Sequence, residues 1–333
     1  MQASVSKSIA DHPGFGAVPV SWNYLCSSCA LRRKPIGVKL GSQWHVGYRT
    51  ESGQAIVLNG RCAHLGADLA SGTVCGERLA CPLHGWEYGP QGDCEKIPAS
   101  KTIPSFARLR CYPTRERAGH VFFFNQSDER FPLPFFDGLK PADLYPAQPF
   151  EIVVDAPWHL VGANGFDVQH FRCAHDRLLT GEPQVSRPSP FAFRISAEFQ
   201  VTGRSWRDRL TRAFSGTQVH FEVTSWAGNF ILVRAAFPRT TSYGMVCLQP
   251  LGPDRTLARI IVWVRRKGGP LGRYVWTPAN SWIRRSFIRA FLEPDVSRLA
   301  GLRYQREHLI DADKVLSEYL DWLETISNPT EIR

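Results

Sequence analysis

Two short clusters of cysteine and histidine constrain this chain more than any other feature. The first reads Cys62-Ala-His64, and the second, after sixteen intervening residues, reads Cys81-Pro-Leu-His84. Zinc fingers usually place both cysteines in one cluster and both histidines in the other, whereas each cluster here is mixed. Mixed pairs suit a Rieske-type [2Fe–2S] centre, because each loop can lend one ligand to each iron. We therefore expect two facing loops around a metal centre, and the spacing favours the Rieske centre over tetrahedral zinc.

The sequence around these clusters indicates an all-β domain. Gly66 and Gly85 follow the two clusters, and glycine permits tight turns whose backbone amides point inward, where they can donate to sulfur and tune a cluster's potential. From residue 21 to about 125 the chain alternates strand-sized segments with Gly and Pro, as in β proteins with many turns.

The length of 333 residues and a hydrophobic content of 43% predict two domains with sizeable cores. Residues 1–20 lack periodicity and are predicted to form an N-terminal arm. Residues 21–130 form the first predicted domain, residues 131–149 a proline-rich linker, and residues 150–333 the second domain.

The second domain is predicted to combine a long antiparallel sheet with C-terminal helices. Apolar residues alternate over 193–201, 219–223 and 230–233, a pattern typical of strands with one buried face. Helical periodicity follows over 282–291, 296–309 and 312–326, so the fold class is α+β. The stretch 274–291 mixes aromatic residues with arginines and could touch a membrane, but the favoured interpretation is a packed amphipathic helix.

A second motif occupies residues 164–175 and includes Asn164, Asp167, His170 and His175. Asp167 and His170 are three residues apart, so they share one face of a helix. Two neutral imidazoles and one carboxylate form the facial triad of non-haem Fe(II) oxygenases, which leaves positions open for O₂ and substrate. The Cys and His clusters upstream strengthen the interpretation of this motif as a metal site.

Both motifs resemble those of one family. The segment Cys62 to His84, with Trp86, resembles the Rieske motif of aromatic-ring and related Rieske non-haem iron oxygenases, and residues 164–175 resemble the Asn-x-x-Asp-x-x-His-x-x-x-x-His pattern of their catalytic domains. Ala67 and Leu83 stand where respiratory-chain Rieske proteins carry an additional disulfide, so the oxygenase type is favoured. The resemblance implies an all-β Rieske domain followed by a helix-grip (START-like) catalytic domain.

The resemblance also implies a role for each site residue. Cys62, His64, Cys81 and His84 would hold the cluster. In the second motif His170 and His175 would bind a mononuclear iron, Asp167 would bridge to a Rieske histidine of a neighbouring subunit, and Asn164 would lie near the iron. The carboxylate ligand lies late in such chains, where two candidates occur. Asp313 is favoured over Asp311, and the other is expected to cap the last helix.

By the same resemblance, the chain is expected to be a terminal oxygenase of the short, homotrimeric type. It would use O₂ to hydroxylate, demethylate or desaturate a small, largely apolar molecule. No flavin or NAD fingerprint occurs, so NAD(P)H would be oxidised by a separate ferredoxin or flavin reductase system. Two alternatives remain open: a Rieske electron-transfer protein without oxygenase activity, and a binding module that has lost its iron.

Composition sets further expectations. The net charge is +10, but Lys and Arg are spread along the chain without a nucleic-acid-binding motif, so no nucleic-acid partner is expected. The first 20 residues have no apolar signal-peptide region and no run of 18 apolar residues occurs, which predicts a cytoplasmic protein without membrane insertion. The nine cysteines are then expected to bind metal or remain free thiols.

Overall fold

The computed structural model describes residues 18–32 and 34–327. The chain divides into two compact units, with the boundary between Leu133 and Pro134. Almost all of the predicted N-terminal arm, residues 1–20, lies outside the described residues. The boundary falls within the predicted linker, residues 131–149.

The predicted linker is packed, although its prolines suggested an open connection. Phe131 and Leu133 are buried on the side of the first unit. Phe136 and Leu144 are buried in the second unit, where a strand at Leu144–Pro146 pairs with the main sheet. Proline restricts φ but does not prevent edge pairing, so the apolar residues between the prolines decide the outcome.

The first unit contains three small antiparallel sheets and one short helix, α1 (Ser28–Leu31). The sheets have strand orders β1-β11-β10, β2-β3-β4-β9 and β5-β6-β7-β8. The strands are β1 (Trp22–Ser27), β2 (Ile36–Leu40), β3 (Gln43–Arg49), β4 (Ala55–Asn59), β5 (Thr73–Cys75), β6 (Arg78–Ala80), β7 (Glu87–Tyr88), β8 (Cys94–Lys96), β9 (Cys111–Tyr112), β10 (Thr114–Arg117) and β11 (His120–Phe124). The prediction of an N-terminal β domain is therefore confirmed.

The second unit is built on one nine-stranded antiparallel sheet, whose main path runs β12-β20-β19-β18-β17-β16-β14. Strand β13 also pairs with β20, and β15 with β16. The strands are β12 (Leu144–Pro146), β13 (Phe150–Val154), β14 (Arg177–Leu179), β15 (Gln184–Ser189), β16 (Ala192–Val201), β17 (Gln218–Trp226), β18 (Phe230–Phe237), β19 (Thr240–Gly252) and β20 (Arg255–Arg265). This sheet and its helices confirm the α+β class.

Among the described residues, six α-helices accompany this sheet: α2 (Trp158–Ala163), α3 (Val168–His175), α4 (Trp206–Phe214), α5 (Gly269–Leu271), α6 (Thr277–Leu299) and α7 (Lys314–Ser327). Short 3₁₀ turns lie at Asn164–Phe166, Arg306–His308 and Asp311–Asp313, among others, and a π-helical turn at Gly272–Trp276 leads into α6. Helix α7 buries Tyr319, Trp322 and Leu323 in the core that it shares with Phe193 and Val262 of the sheet. Apolar residues on one face of α7 therefore close the sheet as the helical periodicity predicted.

Helix α6 differs from its prediction in its extent and in the exposure of one face. It continues through Pro294 and ends at Leu299, whereas the sequence suggested separate helices over 282–291 and 296–309. Its packing agrees only in part with the predicted packed amphipathic helix. Ile288 and Leu292 contact the core, but Trp282 is 67% exposed. None of the helices among the described residues is long and apolar enough to cross a membrane.

Candidate metal centres

The first candidate centre lies on two loops of the first unit. Cys62 follows β4 and Cys81 follows β6 directly, so the ends of two neighbouring sheets carry the cysteines. Both cysteines are buried, whereas His64 and His84 are exposed. The two histidine Nδ1 atoms lie 3.2 Å apart. The structure thus gathers the predicted ligands with sulfur inside and imidazole at the surface.

The two loops have the same backbone design. The amide of Cys62 donates to the carbonyl of Ala67 at 3.0 Å, and the amide of Gly66 donates back to the carbonyl of Cys62 at 2.9 Å. In the second loop Cys81 donates to the carbonyl of Trp86 and Gly85 to that of Cys81, at 2.8 and 3.1 Å. Gly66 and Gly85 have φ of +71° and +67°, a conformation that glycine adopts without strain. Both glycines therefore form the predicted tight turns, and donation from loop amides to sulfur stays a prediction.

Two aromatic side chains support this centre. The Tyr88 hydroxyl lies 3.1 Å from Cys62 Sγ and accepts a hydrogen bond from the amide of Ala63 at 3.2 Å. The Trp86 ring stacks on His64 at 4.7 Å between centroids and 3° between planes. Burial raises the pKa of the Cys62 thiol, so a thiolate here needs a metal to replace its proton. Cys₂His₂ donors with a hydroxyl at sulfur fit a Rieske cluster. No spacing rule marks Tyr88 in the sequence.

The second candidate centre brings together His170, His175 and Asp295. One ligand atom from each lies within 4.8 Å of the others. His175 Nε2 is 3.1 Å from one Asp295 carboxylate oxygen and 3.2 Å from the other. The Asn164 amide nitrogen lies 3.4 Å from both His170 Nε2 and Asp295 Oδ2. Two imidazoles, a carboxylate and an adjacent amide therefore face one small volume.

Helix α3 orients both histidines. Asp167 is its N-cap, and one carboxylate oxygen accepts hydrogen bonds from the amides of Gln169 and His170 at 3.0 and 3.1 Å. His170 Nδ1 lies 2.6 Å from the Asp167 carbonyl, so the ring donates there and keeps Nε2 as a free lone pair. The helix ends at His175, where Asp176 adopts a left-handed conformation with φ of +51°. His175 is thereby turned toward His170 despite their five-residue spacing.

The carboxylate prediction is corrected by this geometry. Asp313 does not join the two histidines. Its oxygens instead accept hydrogen bonds from Gln169 Nε2 at 2.6 Å and from the amide of Ile310 at 3.1 Å. Asp311 is exposed in the same 3₁₀ turn. Asp313 thus closes the 3₁₀ turn that precedes α7, through its bond to the amide of Ile310.

Asp295 reaches the site because α6 does not stop at Pro294. Proline removes one backbone hydrogen bond and normally ends or kinks a helix, so the sequence suggested a boundary there. Asp295 is buried, as is His175. The Phe291 ring, one helical turn earlier, stacks on His175 at 3.8 Å between centroids. The sequence signal for Asp295 was weak, because it is one of two acidic residues of α6, with Glu293, and is marked only by its position one turn after Phe291.

The surroundings favour neutral imidazole at this site. Burial lowers the pKa of His170, and the neighbouring His175 lowers it further. The Arg177 guanidinium donates to the carbonyl of His175 at 2.7 Å and pairs with Asp208 at 2.9 Å, which ties α3 to α4. Neutral imidazoles with a carboxylate are the donors that Fe(II) takes in facial-triad sites, so these residues fit a mononuclear iron.

Comparison with known proteins supports these two centres unequally. Residues 21–112 match the model of the Rieske [2Fe-2S] domain. The oxygenase component of 3-ketosteroid-9-alpha-monooxygenase from Mycobacterium tuberculosis is 35% identical over 124 residues, which are 36% of this chain and 32% of that protein. Cholesterol 7-desaturase nvd from Xenopus laevis is 35% identical over 138 residues, 41% of this chain and 27% of that protein. The matched region thus spans about a third or less of these relatives.

Solved structures extend the likeness to nearly the whole chain at the level of fold. Dicamba monooxygenase bound to dicamba has a TM-score of 0.72 at 16% identity and covers 93% of this chain and 97% of that one. NdmA from Pseudomonas putida CBB5, with caffeine, has a TM-score of 0.72 at 20% identity and covers 92% of this chain and 90% of that one. The domain match thus identifies residues 21–112 as a Rieske [2Fe-2S] domain, and the shared fold extends over nearly the whole chain.

Proposed function

We propose that this chain is the terminal oxygenase of a multicomponent system, which oxidises a small, largely apolar organic molecule with O₂ and electrons from a separate reductase. One observation carries the proposal: the chain that holds a Rieske domain also brings His170, His175 and Asp295 within 4.8 Å of one another. An electron carrier needs only the first of these sites.

The two donor sets suit different parts of the reaction. When bound, the Rieske cluster supplies single electrons, and Fe(II) supplies open positions where O₂ and substrate can meet. Hydroxylation puts one oxygen atom into the substrate and reduces the other to water, which consumes an electron pair and a proton pair. The sequence lacks a flavin or dinucleotide fingerprint, so these electrons must come from a ferredoxin or flavin reductase.

The side chains around the triad orient its ligands. The hydrogen bond from His170 Nδ1 to the Asp167 carbonyl holds the tautomer that leaves Nε2 for metal. Asn164 lies against two of the three donor groups and can restrain His170 and Asp295 in one geometry. Asp167 retains a second carboxylate oxygen beyond its capping bonds. We assign that oxygen to a Rieske histidine of a neighbouring subunit in a homotrimer, since His64 and His84 are exposed.

An apolar substrate suits the aromatic surroundings of the histidines. Phe171 is buried between them and the sheet, with its ring 4.9 Å from that of Phe199 and 5.1 Å from that of Phe221. The Phe291 ring covers the imidazole of His175. Such walls exclude water and offer few hydrogen bonds. The names of several relatives, which include a ketosteroid, cholesterol and tert-butanol, fit the same class of substrate.

The alternative of a Rieske electron-transfer protein has a distinct analytical signature. A chain that holds both centres contains about three irons and two labile sulfides, whereas a chain that holds only the cluster contains about two of each. The chain should be purified anaerobically, supplied with Fe(II) and sulfide, desalted, and assayed for both. About two irons, with no added iron retained above that level, would favour the electron carrier.

Turnover tests the oxygenase directly. The loaded chain should be incubated with ¹⁸O₂, NADH and a surrogate reductase and ferredoxin, with a ketosteroid, cholesterol, tert-butanol, caffeine and dicamba as separate substrates. Mass spectrometry is expected to find one ¹⁸O atom in a hydroxylated product, or ¹⁸O-labelled formaldehyde after demethylation. Desaturation would remove two hydrogens without label. If the fully loaded chain is reduced by the surrogate system but every substrate is recovered unchanged, the proposed substrate class is wrong.

A further inference from the structure

Helix α4 presents its apolar residues to solvent instead of to the core. Trp206, Leu210 and Phe214 follow each other at four-residue spacing, so they form one stripe, and Trp206 and Phe214 are 62% and 73% exposed. The buried residue of this helix is Asp208, which pairs with Arg177. A surface helix normally turns its apolar stripe inward. The orientation of α4 is the reverse.

The segment that leads into α6 also exposes large apolar side chains to solvent. Tyr274 is 71% exposed, and Leu271, Val275 and Trp276 are also exposed. Trp282 and Ile283 extend this exposed region along α6, while the other side of the helix packs against the core. Exposed apolar patches of this extent mark interaction sites more often than ordinary surface.

The two regions adjoin. The Trp206 ring lies 6.3 Å from the ring of Phe287, which is one turn beyond Ile283 on α6. We call the combined region the aromatic surface. It is defined by Trp206, Leu210, Phe214, Leu271, Tyr274, Val275, Trp276, Trp282 and Ile283.

The charge around the aromatic surface is mainly positive, although Glu293, which pairs with Arg289, is an exposed acidic residue on α6. Residues 265–292 contain seven Lys and Arg and no Asp or Glu. Arg204, Arg207 and Arg209 are exposed around α4. Two of the cations lie over exposed rings, since Arg207 is 5.2 Å from the Trp206 ring and Arg273 is 5.5 Å from that of Tyr274. The matching partner must therefore combine an apolar interior with a negatively charged margin.

We propose that the aromatic surface docks on an anionic lipid membrane, with its rings at the level of the headgroups. Trp and Tyr favour this interface because they are apolar with a polar edge, and Arg pairs with lipid phosphate. Interfacial helices combine an apolar face with Lys and Arg in the same way. The docking is peripheral, in keeping with the absence of a membrane-crossing helix among the described residues.

Sedimentation with vesicles tests the proposal. The full chain is mixed with vesicles of phosphatidylcholine alone, or of phosphatidylcholine with about a third phosphatidylserine, at low and high salt. We expect binding to the anionic vesicles, at least about tenfold weaker binding to neutral ones, and weakening by salt, because exposed charges are screened. The double variant Trp282→Glu, Phe214→Glu should lose this binding, while circular dichroism and the cluster absorbance stay unchanged.

Leu251→Glu is the matched control. Leu251 is 49% exposed and lies by the β19–β20 turn, at the end of β20 opposite to the segment that enters α6. This variant should bind vesicles like the parent chain. No binding of the parent chain to anionic vesicles would overturn the proposal, as would equal binding by the double variant. A double variant with an unchanged vesicle affinity and a smaller assembly mass by light scattering would instead assign the surface to a contact between copies.

Discussion

The two metal centres differ in how far apart along the chain their ligands lie. In the first unit His64 and His84 are 20 residues apart, and both loops end in glycine turns of the same design. In the second unit His175 meets Asp295, which is 120 residues away. A centre built from two adjacent loops can be recognised in a short stretch of sequence. The second centre cannot, because its carboxylate comes from a distant helix, α6.

The two centres also differ in what holds their ligands. Backbone hydrogen bonds within each loop fix Cys62 and Cys81. Side-chain contacts at the ends of two helices, among them Asn164 and Phe291, position the triad. Loss of one ligand should therefore remove the whole cluster from the first unit, whereas in the second unit it should remove a single iron ion.

Cys81→Ser is expected to have the largest effect. The cysteine is 5% exposed, and a serine cannot supply the second thiolate that one iron of the cluster needs. Labile sulfide and visible absorption should vanish, turnover should stop, and about one iron should remain in the second unit. Cys75→Ser, at an exposed cysteine in the same sheet, should keep all three irons and both sulfides. Retention of sulfide by Cys81→Ser would exclude that residue as a ligand.

Asp295→Ala separates the two carboxylate assignments. We expect about one iron fewer per chain, unchanged sulfide, and turnover lowered by roughly 100-fold or more, because the facial triad loses its only anionic ligand. Asp313→Ala should keep every iron and lower stability by about 1 kcal/mol, the usual net contribution of a hydrogen bond such as that from the amide of Ile310. Iron and sulfide assays with denaturant titration measure both variants. Loss of iron from Asp313→Ala but not from Asp295→Ala would restore the original assignment.

Spacing alone predicted the loop ligands and much of the sheet, but not the path of α6. The alternation over 193–201 corresponds to β16 at Ala192–Val201, because a half-buried strand repeats every two residues wherever it lies. Pro294 lies in the gap between the predicted helices 282–291 and 296–309, and proline in a helix interior is locally unfavourable. In the structure, Ile288 and Leu292 pack against the core, and this burial offsets the weak local preference. Tertiary packing of that kind is not visible in a window of sequence.

Asp167→Asn tests electron delivery to the second centre without changing its ligands. Asparagine is as good an N-cap as aspartate, so α3 and His170 should keep their positions and both metals should stay bound. Turnover is expected to fall roughly 10- to 100-fold, the usual range for a group that supports metal ligands. Single-turnover reduction of the second centre should slow by a similar factor. Asp176→Asn, at the other end of α3, should match the parent chain, because asparagine accepts the left-handed conformation there. Full activity of Asp167→Asn would refute the bridging role.

Acid should lower the stability of the first unit through two buried histidines that lie outside the candidate metal centres. Burial lowers the pKa of His45 and of His120 to about 4 each, from 6.5. The unfolded chain therefore binds more protons between pH 6.5 and 4, and stability must fall as the pH is lowered through that window. Each histidine contributes about 3 kcal/mol that is present above pH 6.5 and lost by pH 4. The loss of cluster absorbance in denaturant, compared at pH 7.5 and pH 5, measures this difference.

His45→Phe sharpens this last comparison. The imidazole packs between Tyr112 and Phe123, with centroid distances of 4.7 and 4.9 Å, so a phenyl ring can take its place without a charge to protonate. The variant should lose close to half of the pH dependence of the denaturation midpoint. His220→Gln, at an exposed histidine that pairs with Glu198 in the second unit, should leave that dependence intact. An unchanged slope in His45→Phe would refute the role of this buried histidine, because the acid dependence of the first unit would then come from groups other than His45.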